Sequence, residues 1–348
     1  MREYTGALHV HSCYSDGSGT VREITAAARR AGLDFLVLAD HDTLRAKADG
    51  WQGWHDDVLV IVAVEISCKR SCHVVAFGAR DVADLMWKPV RRVLFDLKSQ
   101  GAAAFVAHPQ PAHILGYPLK AGQLHEWEIP GFTGVELWSF MHDICGGLTP
   151  WRIPSFLYTW RRRIRGPDAG VLAHWDRITQ TCRFVAVGSL DNHAIAVPVI
   201  GTRILPYEEG FKTLRTHVFC EDLEGEAADT GRLIEALCEG RAFIALDMLA
   251  DARGFRFEAV QGDAVLHMGE EHRWRGPVVF RAASPVEAGL VLLRNGVVAA
   301  QADGTDLEFR ATEPGVYRVE AHRRGHPWVY TNPIYLRPSE HGSKGGAG

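Results

Sequence analysis

The chain has 348 residues, enough for a large domain and a smaller one. Apolar residues make up 47% and charged residues 23%, the balance of an ordinary globular protein. With 38 basic and 42 acidic side chains the net charge is −4, which supports neither a general nucleic-acid surface nor a membrane surface. The opening MREYTGALHV lacks the basic-then-apolar pattern of a signal peptide, and no apolar run approaches the ~20 residues of a membrane helix. Seven cysteines without a C-x-x-C pair read as reduced thiols of a cytoplasmic protein. The one unusual count is 17 histidines.

In chain order, ALHVH at 7–11 ends a first strand. Side chains two apart on a strand share a face, which pairs His9 with His11 and turns Leu8 and Val10 away. Thr20-x-x-Glu23 is a capping box that starts a helix over 20–31. Apolar runs at 34–39, 58–66, 73–77, 102–107, 133–138 and 183–189 read as buried strands, with further helices over 88–99 and 232–239. Strand and helix in turn predict crossover units and a mostly parallel sheet or barrel over residues 1–250. Residues 139–182 break this rhythm and read as an insertion over one end of that domain. Its Arg161, Arg162, Arg163 and Arg165 form either a solvated helix face or a cap that attracts an anionic substrate. From 251 to 338 short alternating strands predict a small antiparallel, immunoglobulin-like β-sandwich, with Asn295-Gly296 as a tight hairpin turn. Residues 339–348 form a polar, glycine-rich tail expected to be disordered.

Metal-ligand side chains recur where these strands begin or end. Glu65 ends 58–66, His73 opens 73–77, His108 follows 102–107, His41 follows 34–39, and Asp191 and His193 follow 183–189. One such histidine is an ordinary core or cap residue. Five strand ends of one alternating domain, each with His, Asp or Glu, point to a shared metal cluster at one mouth of a barrel. Other polar residues are weaker candidates. Arg203 could hold a phosphate and Ser15 or Tyr14 could line the pocket, whereas His174, His217, Trp138 and Trp175 read better as packing residues.

Together, His9-x-His11 with Ser15-Asp16-Gly17, Ala39-Asp40-His41-Asp42-Thr43, Glu65-Ile66-Ser67, His73, His108-Pro109 and Asp191-x-His193 resemble the PHP (polymerase and histidinol phosphatase) family over about residues 7–245. The resemblance implies a distorted (β/α)7, TIM-like barrel holding two or three divalent ions, and phosphoester hydrolysis by a metal-bridging hydroxide. It assigns His9, His11, Glu65 and Asp191 to one ion. A second would share Glu65 and add His73 and His108, and a third would take Asp16, His41 and His193. Asp191, Glu65 and His193 are the residues expected to carry catalysis. The segment ALCEGRAFIA and the closing PWVYTNPI resemble two-domain bacterial members, among them carbaryl-hydrolase-like proteins. A mixed His and carboxylate set without cysteine suits Zn, Mn or Fe rather than a structural zinc. The expected substrate is a small-molecule phosphoester. A carbamate or carboxylic ester cleaved by the same centre is the alternative, and a non-catalytic binding module on a vestigial barrel is the third reading. The oligomeric state is left open.

Overall fold

A computed structural model of the chain describes residues 1–69, 73–109, 112–114, 117–119, 129–197 and 201–339. The tail beyond Ser339 and Cys72 lie outside the described residues. The first helix, Val21–Arg30, begins as its sequence dictates: Thr20 accepts from the Glu23 backbone N–H, and the Glu23 carboxylate answers on the Thr20 N–H. Its Val21, Ile24, Ala27 and Ala28 are buried at helical spacing.

Two sheets carry the N-terminal part. In the first, Arg2–Val10, Phe35–Leu38 and Val58–Val62 run parallel, while Leu214–Cys220 and Ala242–Leu246 extend it antiparallel. The second is ordered Val64–Ser67, His73–Phe77, Ala103–Val106, Gly134–Ser139, Val185–Ser189. Only Ala63 separates Val58–Val62 from Val64–Ser67, so the chain steps directly from one sheet to the other. At the far end the Leu190 and Asn192 N–H groups donate to the carbonyls of Leu8 and His9 at 2.9 and 3.1 Å, tying the second sheet back to the first strand.

The expected mostly parallel pattern is therefore only half right, and among the described residues the ladders do not join into one closed ring. The domain is mixed α/β. Val64–Ser67, His73–Phe77 and Ala103–Val106 pair antiparallel. The five residues between Ser67 and His73 are too few for a parallel crossover. A second departure lies in the first strand, where the pairing register shifts between Ala7 and Val10 and His9 takes φ 61°. That bulge breaks strict alternation. Leu8 and Val10, expected on one side together, join different apolar clusters.

The expected insertion is helical, with Phe140–Cys145, Ile153–Thr159 and Ala169–Thr179. Two of its arginines are committed to partners within the protein. Arg161 pairs with Glu209 at 2.7 Å, and Arg163 donates to the carbonyls of Ile144 and Gly146. Trp138 and Trp175 are fully buried packing residues, their indoles donating to Asp143 and to the Phe184 carbonyl.

The C-terminal strands pair antiparallel except Glu271–Arg273, which runs parallel to Ile334–Arg337, and His326–Thr331 pairs directly with Ala242–Leu246. Asn295 and Gly296 take φ 52° and 79° in the expected tight turn. The strand before it is a single run, Val278–Arg294, where two short strands are expected. Its register against Val297–Ala311 shifts between Ala283 and Ala288, which lets Pro285 sit in a strand without a ladder N–H. Asn332 joins this region to both sheets. Its amide accepts from the Ala186 N–H at 2.8 Å and donates to the carbonyls of Ala186 and Ala242 at 2.8 and 2.9 Å, all buried. Replacing it strands the buried N–H and carbonyl of Ala186 and removes one of the donors to the Ala242 carbonyl, which keeps the Asn332 N–H at 3.3 Å. Asn332→Ala is expected to lower unfolding stability by about 2–4 kcal/mol, read from urea unfolding; a change under about 0.5 kcal/mol contradicts this role.

Candidate metal centre

Every ligand-type residue singled out in the sequence, from His9 to His193, is brought to one end of the two sheets. His9 and His11 leave the first strand, His41 follows Phe35–Leu38, His108 follows Ala103–Val106, and Asp191 and His193 follow Val185–Ser189. His73 opens an antiparallel strand opposite Ser67, so the start of that strand lies at the same end as its neighbours' finishes. The Glu65 backbone is fixed on both sides: its N–H donates to the Asp40 carbonyl and its carbonyl accepts from the Asp42 N–H.

Glu65 is the hub. It is 1% exposed. One carboxylate oxygen, Oε1, lies 2.7 Å from His73 Nδ1 and 2.7 Å from His108 Nε2. The other, Oε2, lies 3.0 Å from His9 Nε2, 3.3 Å from His11 Nε2 and 3.2 Å from His41 Nδ1. Asp191 Oδ1 is 3.5 and 3.3 Å from the same His9 and His11 nitrogens. Asp16 reaches His11, His41 and His193 at 3.3, 3.7 and 3.3 Å.

Ligand atoms of His9, His11, Glu65 and Asp191 all lie within 4.8 Å of one another, as do those of His11, Asp16, His41 and His193, and those of His41, Glu65 and His73. Metal–ligand bonds of about 2.0–2.2 Å place neighbouring ligand atoms roughly 3–4 Å apart, so this spacing fits shared divalent ions. Buried His11 Nε2 and His41 Nδ1 have no hydrogen-bond partner despite facing carboxylates, as lone pairs aimed at a common point would be. The far ring nitrogens are anchored. His9 Nδ1 meets Glu136 Oε1 at 2.6 Å and His193 Nδ1 meets the Asp191 carbonyl at 3.0 Å, which leaves each Nε2 facing the cluster. The residues therefore fit a divalent-metal centre of His and carboxylate donors.

Two participants escape the sequence reading. His142, buried on helix Phe140–Cys145, stacks on His108 at 4.4 Å and puts Nδ1 3.4 Å from Asp191 Oδ2. Glu136 braces His9 and accepts from the His108 backbone N–H at 2.8 Å. An acid inside the apolar run TGVELW is the signal for Glu136. His142 follows the same strand by three residues, a strand-end placement hidden by treating 139–182 as an insertion.

The other candidates take different places. Ser15 stands beside the cluster: its hydroxyl donates to Asp40 Oδ1 at 2.7 Å and lies 3.4 Å from His11 Nδ1 and 3.3 Å from Asp16 Oδ1, and Asp40 also holds the Ser12 N–H and hydroxyl. Gly17 completes that loop, since a Cβ there would meet the His11 carbonyl oxygen at 2.1 Å. Tyr14 donates to Asp49, and Arg203 is exposed outside the cluster. His217 bridges Glu3 and Asp247 within the core, and His174 is buried on helix Ala169–Thr179.

The backbone is strained where the ligands sit, with left-handed φ of 61° at His9, 25° at His108 and 51° at Asp191. Non-glycine residues held there cost about 1–3 kcal/mol each, and such strain concentrates at working sites. Electrostatics oppose burial throughout. Desolvation raises the carboxyls of Glu65 and Asp191, but His9 and the other imidazoles outweigh it and hold both well below the usual carboxylate range. Burial lowers His9, His11 and His108, and the carboxylates overcome it: those of Glu136 and Glu65 at His9, Asp16 and Asp191 at His11, and Glu65 at His108. His142 goes the other way, to about 3, through burial and the charge of His108.

No family model and no curated protein matches the chain. Similar solved structures include PHP-like metal-dependent phosphoesterases. One is a two-domain protein of Bacteroides vulgatus containing a predicted enzyme of that kind, 17% identical over 95% of each chain with a TM-score of 0.43. A lesion-specific endonuclease of Pyrococcus furiosus is 12% identical over 69% of this chain and 56% of its own, with a TM-score of 0.43. An amidohydrolase of Chromobacterium violaceum is 15% identical over 68% of this chain and 96% of its own, with a TM-score of 0.37. Among the described residues, no helix is long and apolar enough to cross a membrane.

These opposed shifts set a pH window for the metal-free protein. The depressed Glu65 and Asp191 contribute stability above about pH 4.5 and lose it as pH falls through their folded values. The raised His9 and His11 contribute fully below about pH 6.5 and lose it as pH rises through theirs. The melting temperature of chelator-treated protein is therefore expected to peak between pH 4.5 and 6.5 and to fall toward pH 9. Divalent metal should reverse the alkaline fall, because ligation needs the deprotonated imidazoles. A melting temperature that climbs steadily to pH 9 without metal contradicts the ion-pair network.

Proposed function

We propose that the chain is a divalent-metal-dependent hydrolase of phosphate mono- or diesters. Its metal centre would sit at one mouth of a distorted barrel, residues 1–250, followed by a β-sandwich over 251–338. The observation that carries this reading is the convergence of five imidazoles on the two oxygens of buried Glu65. A structural zinc site needs four ligands and is closed. Nine sequence-read ligand residues, with His142 beside them, instead support two or three ions of Zn, Mn or Fe. Ions bound there supply charge to the attacked phosphoryl oxygens and make water nucleophilic near neutral pH.

The residues divide the remaining work. Glu65 offers each oxygen to a different group of imidazoles and would be the ligand shared between adjacent ions. His9, His11 and Asp191 complete one position, Asp16, His41 and His193 another, and His73 and His108 stand beside Glu65 Oε1 at the remaining one. Asp191 Oδ1, between His9, His11 and His193, is the acceptor for the proton of the attacking water. His193 keeps its Nδ1 proton on the Asp191 carbonyl, which leaves Nε2 as the atom that ligates or exchanges a proton.

The test is a panel of p-nitrophenyl phosphate, bis-p-nitrophenyl phosphate and a p-nitrophenyl carbamate, each assayed with Mn, Zn and Fe. Metal-dependent turnover of a phosphoester is expected, with Asp191→Asn lowering kcat by about 10²–10⁴. Turnover of the carbamate alone moves the reading to that bond. A folded, metal-loaded protein that cleaves none of the three overturns it.

A further inference from the structure

Outside the cluster, the described residues leave a cleft of about 400 Å³ between the helix Ile153–Thr159 with its flanking turn and the segment 202–209. One wall is apolar and aromatic, from Ile144, Phe156, Leu157 and Trp160; the other brings Leu205 and Arg203. This volume lies in the range of small-molecule pockets, roughly 300–1,000 Å³.

The charges in the cleft are unequally committed. Glu209 is taken by Arg161, which crosses from the insertion at 2.7 Å and also lies over the Trp160 ring at 4.3 Å. The Arg203 side chain has no hydrogen-bond or ion-pair partner among the described residues, and its charge helps lower the nearby Glu23 carboxyl, after the Thr20 hydrogen bonds. A larger cleft of about 800 Å³, beside helix Val21–Arg30, also carries arginines. There, Arg29 is paired with Asp56 and Asp57, and Arg30 with Glu208. Among the described residues Arg22 of that larger cleft is unpaired as well; the smaller cleft is distinguished by setting its cation, Arg203, beside a wall of Ile144, Phe156, Leu157 and Trp160.

Both walls also grow out of segments that carry cluster residues. Ile144 lies two residues beyond His142 on the same helix, and Arg163 fixes the end of that helix through the Ile144 and Gly146 carbonyls. On the other wall, the Ile204 N–H donates to the Ile195 carbonyl at 2.8 Å, and the Tyr207 hydroxyl meets the carbonyls of His11 and His193 at 2.9 and 3.3 Å. The cleft walls are thus continuous in sequence with segments that carry or contact cluster residues.

We propose that this cleft binds the organic part of the substrate, an aromatic or aliphatic body carrying a second anionic group. The body lies against Phe156, Leu157 and Trp160, and the anion, a carboxylate or phosphate, pairs with Arg203 through the two-pronged geometry guanidinium offers. This rests on the hydrolase reading for calling the ligand a substrate, but not for the binding itself.

Two readouts on the full-length, Zn-loaded protein separate the claims. The first is the affinity for 1-naphthylacetate and for acetate, followed by calorimetry and tryptophan fluorescence. The second is KM for 4-carboxyphenyl phosphate against phenyl phosphate. The expected result is naphthylacetate binding at least tenfold tighter than acetate, weakened about tenfold to a hundredfold by Arg203→Met and also by Leu157→Asp. Arg203→Met should raise KM for the carboxylated ester while sparing phenyl phosphate. Phosphoester turnover with naphthylacetate affinity unchanged in both variants overturns the cleft and leaves the hydrolase standing. Variant-sensitive naphthylacetate binding without phosphoester turnover supports the cleft and removes the hydrolase.

Discussion

The structure turns on the carboxylate of Glu65. Burying an ion costs several kcal/mol unless opposite charge and hydrogen bonds repay it, and Glu65 is 1% exposed. It is tolerated because His9, His11, His41, His73 and His108 all lie within 3.3 Å of its two oxygens. The dependence runs both ways, since imidazoles packed ring to ring at 4.0–5.7 Å repel once protonated. Without Glu65 and Asp191 to face, this end of the domain would hold uncompensated positive charge. An arrangement of opposed charges in which neighbouring ligand atoms are a metal's width apart is suited to exchange protons for metal ions.

The rest of the N-terminal part reads as support for that hub. The bulge at Ala7–Val10 and the left-handed backbone at His9 deliver that imidazole to the cluster beside His11. Asp40 gathers the Ser12 N–H and the hydroxyls of Ser12 and Ser15, which sets the loop that delivers His11 and Asp16. Asn332 locks strands of both sheets from the C-terminal region. Deleting that region would remove more than an appendage, because it supplies hydrogen bonds to the sheets that carry the ligands.

Much of this is legible in the sequence because metal ligands at strand ends leave a local trace. Polar His, Asp and Glu stand out against apolar runs such as DFLVLA and AAAFVA, and their recurrence at each run is a one-dimensional image of one three-dimensional mouth. The capping box at Thr20 and the Asn295-Gly296 turn are equally local and equally readable. What the sequence hides is non-local. Strand direction depends on how far a connection can reach, so the antiparallel pairing around His73 goes unread. The placement of His9 beside His11 agrees with the alternation argument but arises from a bulge, whose strain is maintained by tertiary contacts. His142 is lost because a boundary drawn at 139 separates it from the strand it follows.

The central claim is that the Glu65 cluster is a metal centre. It is tested most directly by an anomalous difference map from crystals grown with Mn²⁺. The account predicts a strong peak between Glu65 and Asp191, flanked by His9 Nε2 and His11 Nε2, with at least one further peak beside Glu65. Crystals saturated with Mn²⁺ in which the cluster keeps its direct His–carboxylate contacts and shows no peak would contradict it.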